Sequence, residues 1–182
     1  ENGADGILWS PVDAQATADI AEYCEENGVP TVTYNTDVNS EAVAINIRFG
    51  AKEAATMLAE SVIEYLEETY GNAEGVVISL QGDSANDSDR ERAEGYKEVF
   101  TKYEDIEFVE YYTKSDASIA QRNAFNAIQQ YGRPVAMVSQ NTLNARGGMQ
   151  ALDRADMLVP RGEDGHVFIA SIGASPDYID SM

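Results

Sequence analysis

Basic residues and cysteine are both scarce in this sequence. Lysine and arginine together number 12 against 32 aspartates and glutamates, which gives a formal net charge of −20. Because this charge repels nucleic-acid phosphates and anionic membrane surfaces, the composition argues against both as partners. Cys24 is the only cysteine, which excludes an internal disulfide. Its spacing from Ile20 predicts that both side chains lie on the apolar side of one helix.

Long apolar runs are also lacking. No stretch reaches the roughly 18 consecutive apolar residues of a membrane-spanning helix, and the first residues lack the pattern of a signal peptide. The chain begins with Glu1 rather than methionine, and the run Ile7–Trp9 is already typical of a core strand. We therefore expect further sequence upstream, in which an export signal would lie.

Motifs of the common enzyme classes are missing. The sequence has no GxxxxGK[ST] phosphate loop, no GxGxxG after a strand, no GxSxG nucleophile turn and no HExxH metal motif. His166 is the only histidine and starts a predicted strand, where we expect it to be structural or exposed. The acidic loop from Asp83 to Asp89 lacks the glycine and the spaced glutamate of an EF-hand calcium loop. The sequence therefore predicts a protein without a catalytic residue, a cofactor or a bound metal.

What the sequence does contain is a regular alternation of strand and helix patterns. Short apolar runs with little alternation are typical of parallel strands that helices cover on both faces. The predicted strands are Gly6–Trp9, Val29–Tyr34, Val43–Ile47, Val76–Leu80, Ile106–Tyr112, Pro134–Ser139 and His166–Ile172. The predicted helices are Ala14–Asn27, Gly50–Tyr70, Asp89–Tyr103, Asp116–Tyr131, Leu143–Met157 and one that begins at Ser175-Pro176. This order predicts an α/β fold with a doubly wound parallel sheet.

The helix after the fourth predicted strand has the clearest start signal. Ser88 and Glu91 have the spacing of a capping box, in which each side chain accepts a hydrogen bond from a free N–H of the first turn. This signal places the helix start near Asp89 and puts Arg90 in the first turn. In the long helix before that strand, the apolar periodicity predicts a buried stripe that includes Met57.

Polar side chains recur where the predicted strands end. These positions hold Ser10, Asn35, Gln81 with Asp83, Asn141 and Ser171, and Arg90 opens a helix nearby. Because ligands of parallel α/β sheets bind at the carboxyl ends of the strands, these side chains form a candidate site. Amides, hydroxyls and one guanidinium suit a neutral polar ligand that is held rather than transformed. Two alternatives stay open: strand ends are polar in any α/β protein, and a surface ion pair with Asp87, Asp89 or Glu91 would also account for Arg90.

Four segments together resemble the periplasmic sugar-binding proteins of the ribose-binding type, the solute-binding components of ABC importers. The segments are ADGILWSPVD, GVPTVTYNTDV, GDSANDSDRERAEGYKEVFTKY and VAMVSQNTLNARGGMQAL, the last followed by ASIGASPDYI. The resemblance implies the type 1 periplasmic-binding-protein fold, in which two doubly wound lobes joined by a hinge close on a sugar. It implies ligand contacts from Ser10, Asn35, Asp83, Arg90 and Asn141.

The same resemblance divides the chain into two lobes. Residues 1–46 would be a partial first lobe with the first hinge crossing, and residues 47–182 would be a nearly complete second lobe. The sequence departs from the family at Asn35, where an aspartate is frequent, and at Gly173, where the family's aspartate is absent. The second departure removes a carboxylate that would clamp sugar hydroxyls, so a ribose-like ligand is not favoured.

The resemblance also implies a setting for the protein. We expect a small-molecule ligand, a sugar, together with the membrane permease of an ABC importer, and a periplasmic or extracellular location with a possible lipid anchor. The effector-binding domain of a LacI-type transcription regulator shares the fold and is the alternative, which an upstream DNA-binding head would favour. Because the first lobe is partial, we expect this chain alone to bind sugar poorly and to self-associate through the open apolar residues of that lobe, namely Ile7, Leu8, Trp9, Val32 and Tyr34.

Overall fold

The computed structural model describes residues 3–173, which form two separate parallel sheets. The smaller sheet contains β1 (Ile7–Trp9), β2 (Thr31–Tyr34) and β3 (Ile45–Ile47) in that order. Helix α1 (Ala18–Glu26) connects β1 to β2, so the sheet begins with one βαβ unit. All strand pairs of this sheet are parallel.

The larger sheet has four parallel strands in the order β5-β4-β6-β7. Its strands are β4 (Gly75–Gln81), β5 (Ile106–Tyr112), β6 (Ala136–Ser139) and β7 (Phe168–Ser171). Its helices are α2 (Ala51–Tyr70), α3 (Asp87–Phe100), α4 (Ala117–Tyr131) and α5 (Thr142–Arg154). The predicted α/β class with a parallel, doubly wound sheet is confirmed. The predicted helix that begins at Ser175-Pro176 lies outside the described residues.

Helices cover both faces of the larger sheet. Val77 of β4 packs with α2 and α3, where Tyr96 and Phe100 are buried, whereas the next residue, Ile78, packs on the opposite face with α4 and α5. Since both faces are covered, the strands read as nearly continuous apolar runs, which is the pattern that the sequence shows.

Two glycines allow the helices on each face to pack closely. A Cβ atom on Gly95 of α3 would lie 2.5 Å from the Lys52 carbonyl of α2, and one on Gly147 of α5 would lie 2.5 Å from the Ala117 carbonyl of α4. Both distances are shorter than van der Waals contact, so these helix pairs depend on the absence of a side chain at the two positions.

The predicted capping box of α3 is wrong. The helix begins at Asp87, and Asn86 caps it by accepting a hydrogen bond from the N–H of Asp89. The Ser88 hydroxyl donates instead to the carbonyl of Asn35 at 2.6 Å. Glu91 forms an ion pair with Arg48 rather than returning to the cap. Serine and asparagine are both good N-caps, and here the residue nearer the strand takes the position.

Several other boundaries and burial predictions also differ from the structure. Helix α1 begins at Ala18, and Asp13 accepts hydrogen bonds from the turn that precedes it. Cys24 is buried as expected, but Ile20 is exposed because it lies on the outer face of α1. Met57 is 68% exposed, so it is not part of the buried stripe of α2.

One face of the smaller sheet is open. The strand registers place Leu8, Val32, Tyr34, Ile45 and Ile47 on this face, which we call the open face. Leu8 is 67% and Ile47 is 58% exposed. Trp9 points to the opposite face and packs with Ala18 and Ala21 of α1, so its predicted exposure is wrong. The smaller sheet is therefore covered by a helix on one face only.

Candidate functional site

The carboxyl ends of β4 and β6 are joined by a buried polar network. Gln140, the residue after β6, accepts a hydrogen bond from the Gly82 N–H at 2.8 Å. Its side-chain amide donates to the Asp89 carbonyl at 2.6 Å. Asn144 of α5 donates to the carbonyl of Leu80 at 3.0 Å. These bonds satisfy buried polar groups from three elements and fix the strand ends relative to α3 and α5.

Asn141 lies at the end of β6 and has two roles in the structure. Its side-chain oxygen caps α5 by accepting a hydrogen bond from the Asn144 N–H at 3.0 Å. Its side-chain nitrogen donates to the hydroxyl of Ser115 at 3.0 Å. The amide is therefore oriented by both bonds and is half-buried beside the strand end.

Asp83 shapes the loop between β4 and α3. Its side chain accepts a hydrogen bond from the N–H of Ala85 at 3.0 Å, and its own N–H donates to Asp89 at 2.8 Å. A Cβ atom on the preceding residue, Gly82, would collide with the Asp89 carboxylate. The close approach at this turn therefore requires glycine.

Arg90 is at the surface of α3. It forms an ion pair with Asp87 and donates to the Ser84 carbonyl at 2.8 Å. Its side chain is 46% exposed. The ion pair that the sequence left open as an alternative is thus present, and a ligand would have to compete with Asp87 for this guanidinium.

Arg92 was not predicted as a site residue, yet its side chain contacts the carboxyl end of β6. Its side chain is 12% exposed, and one terminal nitrogen donates to the Gln140 carbonyl at 3.2 Å. Its guanidinium carbon lies 5.1 Å from the centre of the Phe49 ring. The Nε of Arg92 is buried without a hydrogen-bond partner. A buried donor without a protein partner is rare in folded proteins, and an ordered water or a bound ligand would satisfy it.

The signal that could have identified Arg92 is helical spacing. Arg92 is one turn after Ser88 and one turn before Tyr96. Because Tyr96 belongs to the stripe that packs on the sheet, a residue four positions earlier faces the same way. Arg90 is on the other side of the first turn, beside Asp87.

Asn35 connects the smaller sheet to the first turn of α3. It follows β2 with a left-handed φ of 66°, and its N–H donates to the Ile47 carbonyl at 2.9 Å. Its carbonyl accepts the hydrogen bond from Ser88, and the neighbouring Thr36 accepts one from Asn86 at 3.1 Å. The carboxyl end of β2 therefore meets the first turn of α3. Ser10 follows β1 in the same sheet and is half-buried.

A polar cleft of about 520 Å³ lies between the two sheets on the other side of α3. Arg90 is the only one of the five predicted site residues in its lining. The cleft contains three aspartates and two arginines, together with smaller polar and apolar residues. The charged residues are Asp13, Asp37, Asp87, Arg48 and Arg90.

Burial changes the acid–base properties of two groups in this region. Desolvation raises the pKa of the Asp89 carboxyl, although the N–H of Asp83 and the charge of Arg92 act in the opposite direction. Desolvation also raises the pKa of Tyr96, whose hydroxyl donates to the Ser139 carbonyl at 2.9 Å. A carboxyl whose pKa is raised by burial beside a charged partner is a candidate member of a functional site.

Within residues 3–173, no group of three or more histidine, cysteine, aspartate or glutamate side chains is arranged to hold a metal ion. Over the same residues, no helix is long and apolar enough to cross a membrane.

A family model described as a periplasmic binding protein domain matches residues 1–182. No curated protein matches the chain in sequence. Among solved structures, an ABC transporter solute-binding protein from Bacillus halodurans C-125 with bound myo-inositol has a TM-score of 0.84 and 22% identity, and the match covers 98% of this chain and 59% of that one.

Two further structures are similar to this chain. The periplasmic component of an ABC-type sugar transport system from Hahella chejuensis has a TM-score of 0.86 and 15% identity, with 100% of this chain and 63% of that chain covered. A periplasmic solute-binding protein from Actinobacillus succinogenes 130z with bound D-allose has a TM-score of 0.81 and 18% identity, with 97% and 60% covered. This chain thus spans about three fifths of the length of these proteins.

Proposed function

This chain belongs to the periplasmic binding protein family, and from that membership we propose that it is part of a protein that captures a small sugar between two lobes for an ABC importer. The names of the similar structures support a sugar or polyol as the ligand class. Binding without a chemical step is consistent with a site made of amides, hydroxyls and arginines.

The observation that carries the proposal is the meeting of strand ends from both sheets at one face of α3. Ser88 and Arg92 lie on this face, with Asn35 on one side and the end of β6 on the other. Sugar recognition requires donors and acceptors held at fixed positions, and the Arg92 guanidinium, held at the end of β6, supplies such donors.

We assign the following contacts within this proposal. Arg92 and the Asn141 amide form the second-lobe side of the site, at the ends of α3 and β6 nearest each other. Ser10 and Asn35 supply the first-lobe side. Asp83 and Arg90 border the site. Asp83 contributes through the loop that it shapes. Arg90 contacts the ligand directly once its ion pair with Asp87 opens.

The lobe boundaries and the partners are part of the same proposal. Residues 1–46 form the partial first lobe with the first hinge crossing, and residues 47–182 form the nearly complete second lobe. The ligand is delivered to a membrane permease, and the protein works in the periplasm or outside the cell, free or lipid-anchored. The open face of the smaller sheet is a surface through which this chain self-associates.

Isothermal titration calorimetry of the wild-type chain with myo-inositol, D-allose and L-arabinose tests the proposal. We expect saturable but weak binding of at least one sugar, because the first-lobe side is incomplete, and loss of that binding in Arg92→Ala. Arg133→Ala is the matched control, since Arg133 donates to the carbonyls of Met157 and Gly165, at the opposite end of the sheet from Arg92. Equal binding by both variants would contradict the assignment of Arg92.

A further inference from the structure

Asp89 is a buried carboxylate in the first turn of α3, and its contacts make a closed ring. One oxygen accepts the Asp83 N–H at 2.8 Å, and the other lies 3.5 Å from a terminal nitrogen of Arg92. The backbone carbonyl of Asp89 accepts a hydrogen bond from the side-chain amide of Gln140. The backbone carbonyl of Gln140 in turn accepts a hydrogen bond from Arg92. Each member of the ring therefore restrains the arginine directly or through a neighbour.

A carboxylate at this position destabilises the folded state. An acid buried against a turn costs free energy unless it is well paired, and the distance to Arg92 is longer than that of a strong ion pair. The charged groups that face Asp89 are Arg92 on its own helix and Asp83 on the preceding loop, and the second of these is repulsive. A neutral asparagine would fill similar space without this cost.

We propose that Asp89, braced by Gln140, is a positioning residue that holds the Arg92 guanidinium at the strand ends in the orientation that receives the ligand. The inference rests on the proposed sugar-binding function and deepens it. Fixing a long side chain before binding removes the entropy that it would otherwise lose, which raises affinity without any contact between Asp89 and the ligand.

The positioning role predicts that stability and binding change in opposite directions in Asp89→Asn. Burial raises the pKa of the Asp89 carboxyl, so the folded chain binds this proton more tightly than the unfolded chain does. The ionised carboxylate therefore lowers the free energy of unfolding at pH values above the raised pKa. This loss of stability disappears at pH values below the ordinary pKa of an aspartate. We expect Asp89→Asn to have a higher Tm than the wild type at pH 7 and a smaller advantage near pH 4.

The direct test follows the Arg92 side chain by ¹⁵N NMR and requires no ligand. In the wild type we expect a restrained Arg92 Nε–H and a mobile Arg90 Nε–H, because only the former is buried. Asp89→Asn should make the Arg92 Nε–H more mobile than in the wild type while the fold is retained, even though the contacts of Arg92 with Gln140 and Phe49 stay. Asp87→Asn, which removes the partner of Arg90, is the matched control and should leave Arg92 restrained.

The results separate this inference from the proposed function. If the wild type binds one of the three sugars, Asp89→Asn should weaken its affinity about tenfold, the effect of losing one charged restraint. If the wild type binds none, the proposed function fails for this chain, and the NMR comparison still decides the positioning role. An equally restrained Arg92 in Asp89→Asn, unchanged sugar affinity, or loss of the fold in that variant would overturn the inference.

Discussion

At the scale of single residues, the first turn of α3 separates two arginines that the sequence presents side by side. Arg90 was singled out because it opens the predicted helix, but the structure pairs it with Asp87 at the surface. Arg92 lies at the strand ends, and its side chain is 12% exposed. The difference is a rotation of about 200° around the helix, which sequence periodicity contains but which a misplaced helix start obscures.

Asn141 combines a cap with a proposed ligand contact, and two substitutions separate these roles. Asn141→Ala removes the acceptor for the Asn144 N–H and should lower the free energy of unfolding by about 1 kcal/mol. Asn141→Asp keeps a capping acceptor but loses the amide donor, so we expect nearly wild-type stability with weaker sugar binding. Urea unfolding and calorimetry measure the two effects, and equal destabilisation by both substitutions would show that the donor to Ser115 dominates instead.

At the scale of elements, the strands were predicted better than the caps. β5 has the predicted limits, because Ile106–Tyr112 combines β-branched and aromatic residues between clear turns. The start of α3 was misplaced because Asn86 and Ser88 both give cap signals two residues apart. Choosing between them depends on Asn35 and Thr36, which are distant in sequence and contact these side chains only in the folded chain.

The close packing of α3 on α2 gives a prediction at the same scale. Gly95→Ala should destabilise the fold by about 1–3 kcal/mol despite the higher helix propensity of alanine, because the new Cβ would press on the Lys52 carbonyl and on Ala55. Glu94→Ala, at the exposed neighbouring position, is the control and should change stability by less than about 0.5 kcal/mol. Denaturant unfolding measures both, and a stabilised Gly95→Ala would show that the two helices separate readily.

At the scale of the whole molecule, the two sheets differ in how completely they are covered. The larger sheet has helices and a buried apolar cluster on each face, whereas the smaller sheet buries only the face toward α1. The sequence predicted exposed apolar residues in the smaller sheet, but it could not assign Trp9 to the covered face. That assignment depends on the strand register, since a shift of one residue exchanges the two faces.

The open face predicts concentration-dependent association. Light scattering of the wild-type chain should show oligomers that grow with concentration, and the double substitution Ile45→Lys and Ile47→Lys should give a monomer with an unchanged larger sheet. Met57→Lys is the control, because Met57 is equally apolar and exposed but lies on α2, away from the open face. A wild type that stays monomeric at every concentration would contradict the association and the partial first lobe from which it follows.

The central claim is that a sugar binds where the strand ends of both sheets meet at α3. An NMR titration of the wild-type chain with myo-inositol and D-allose tests it most directly, when the side-chain N–H signals of Arg92, Asn141 and Arg133 are followed together. We predict saturable shifts of the Arg92 and Asn141 signals, no shift of the Arg133 signal, and an affinity weaker than micromolar. Shifts confined to Arg133, or no saturable shift at Arg92 and Asn141 with either sugar, would contradict the account.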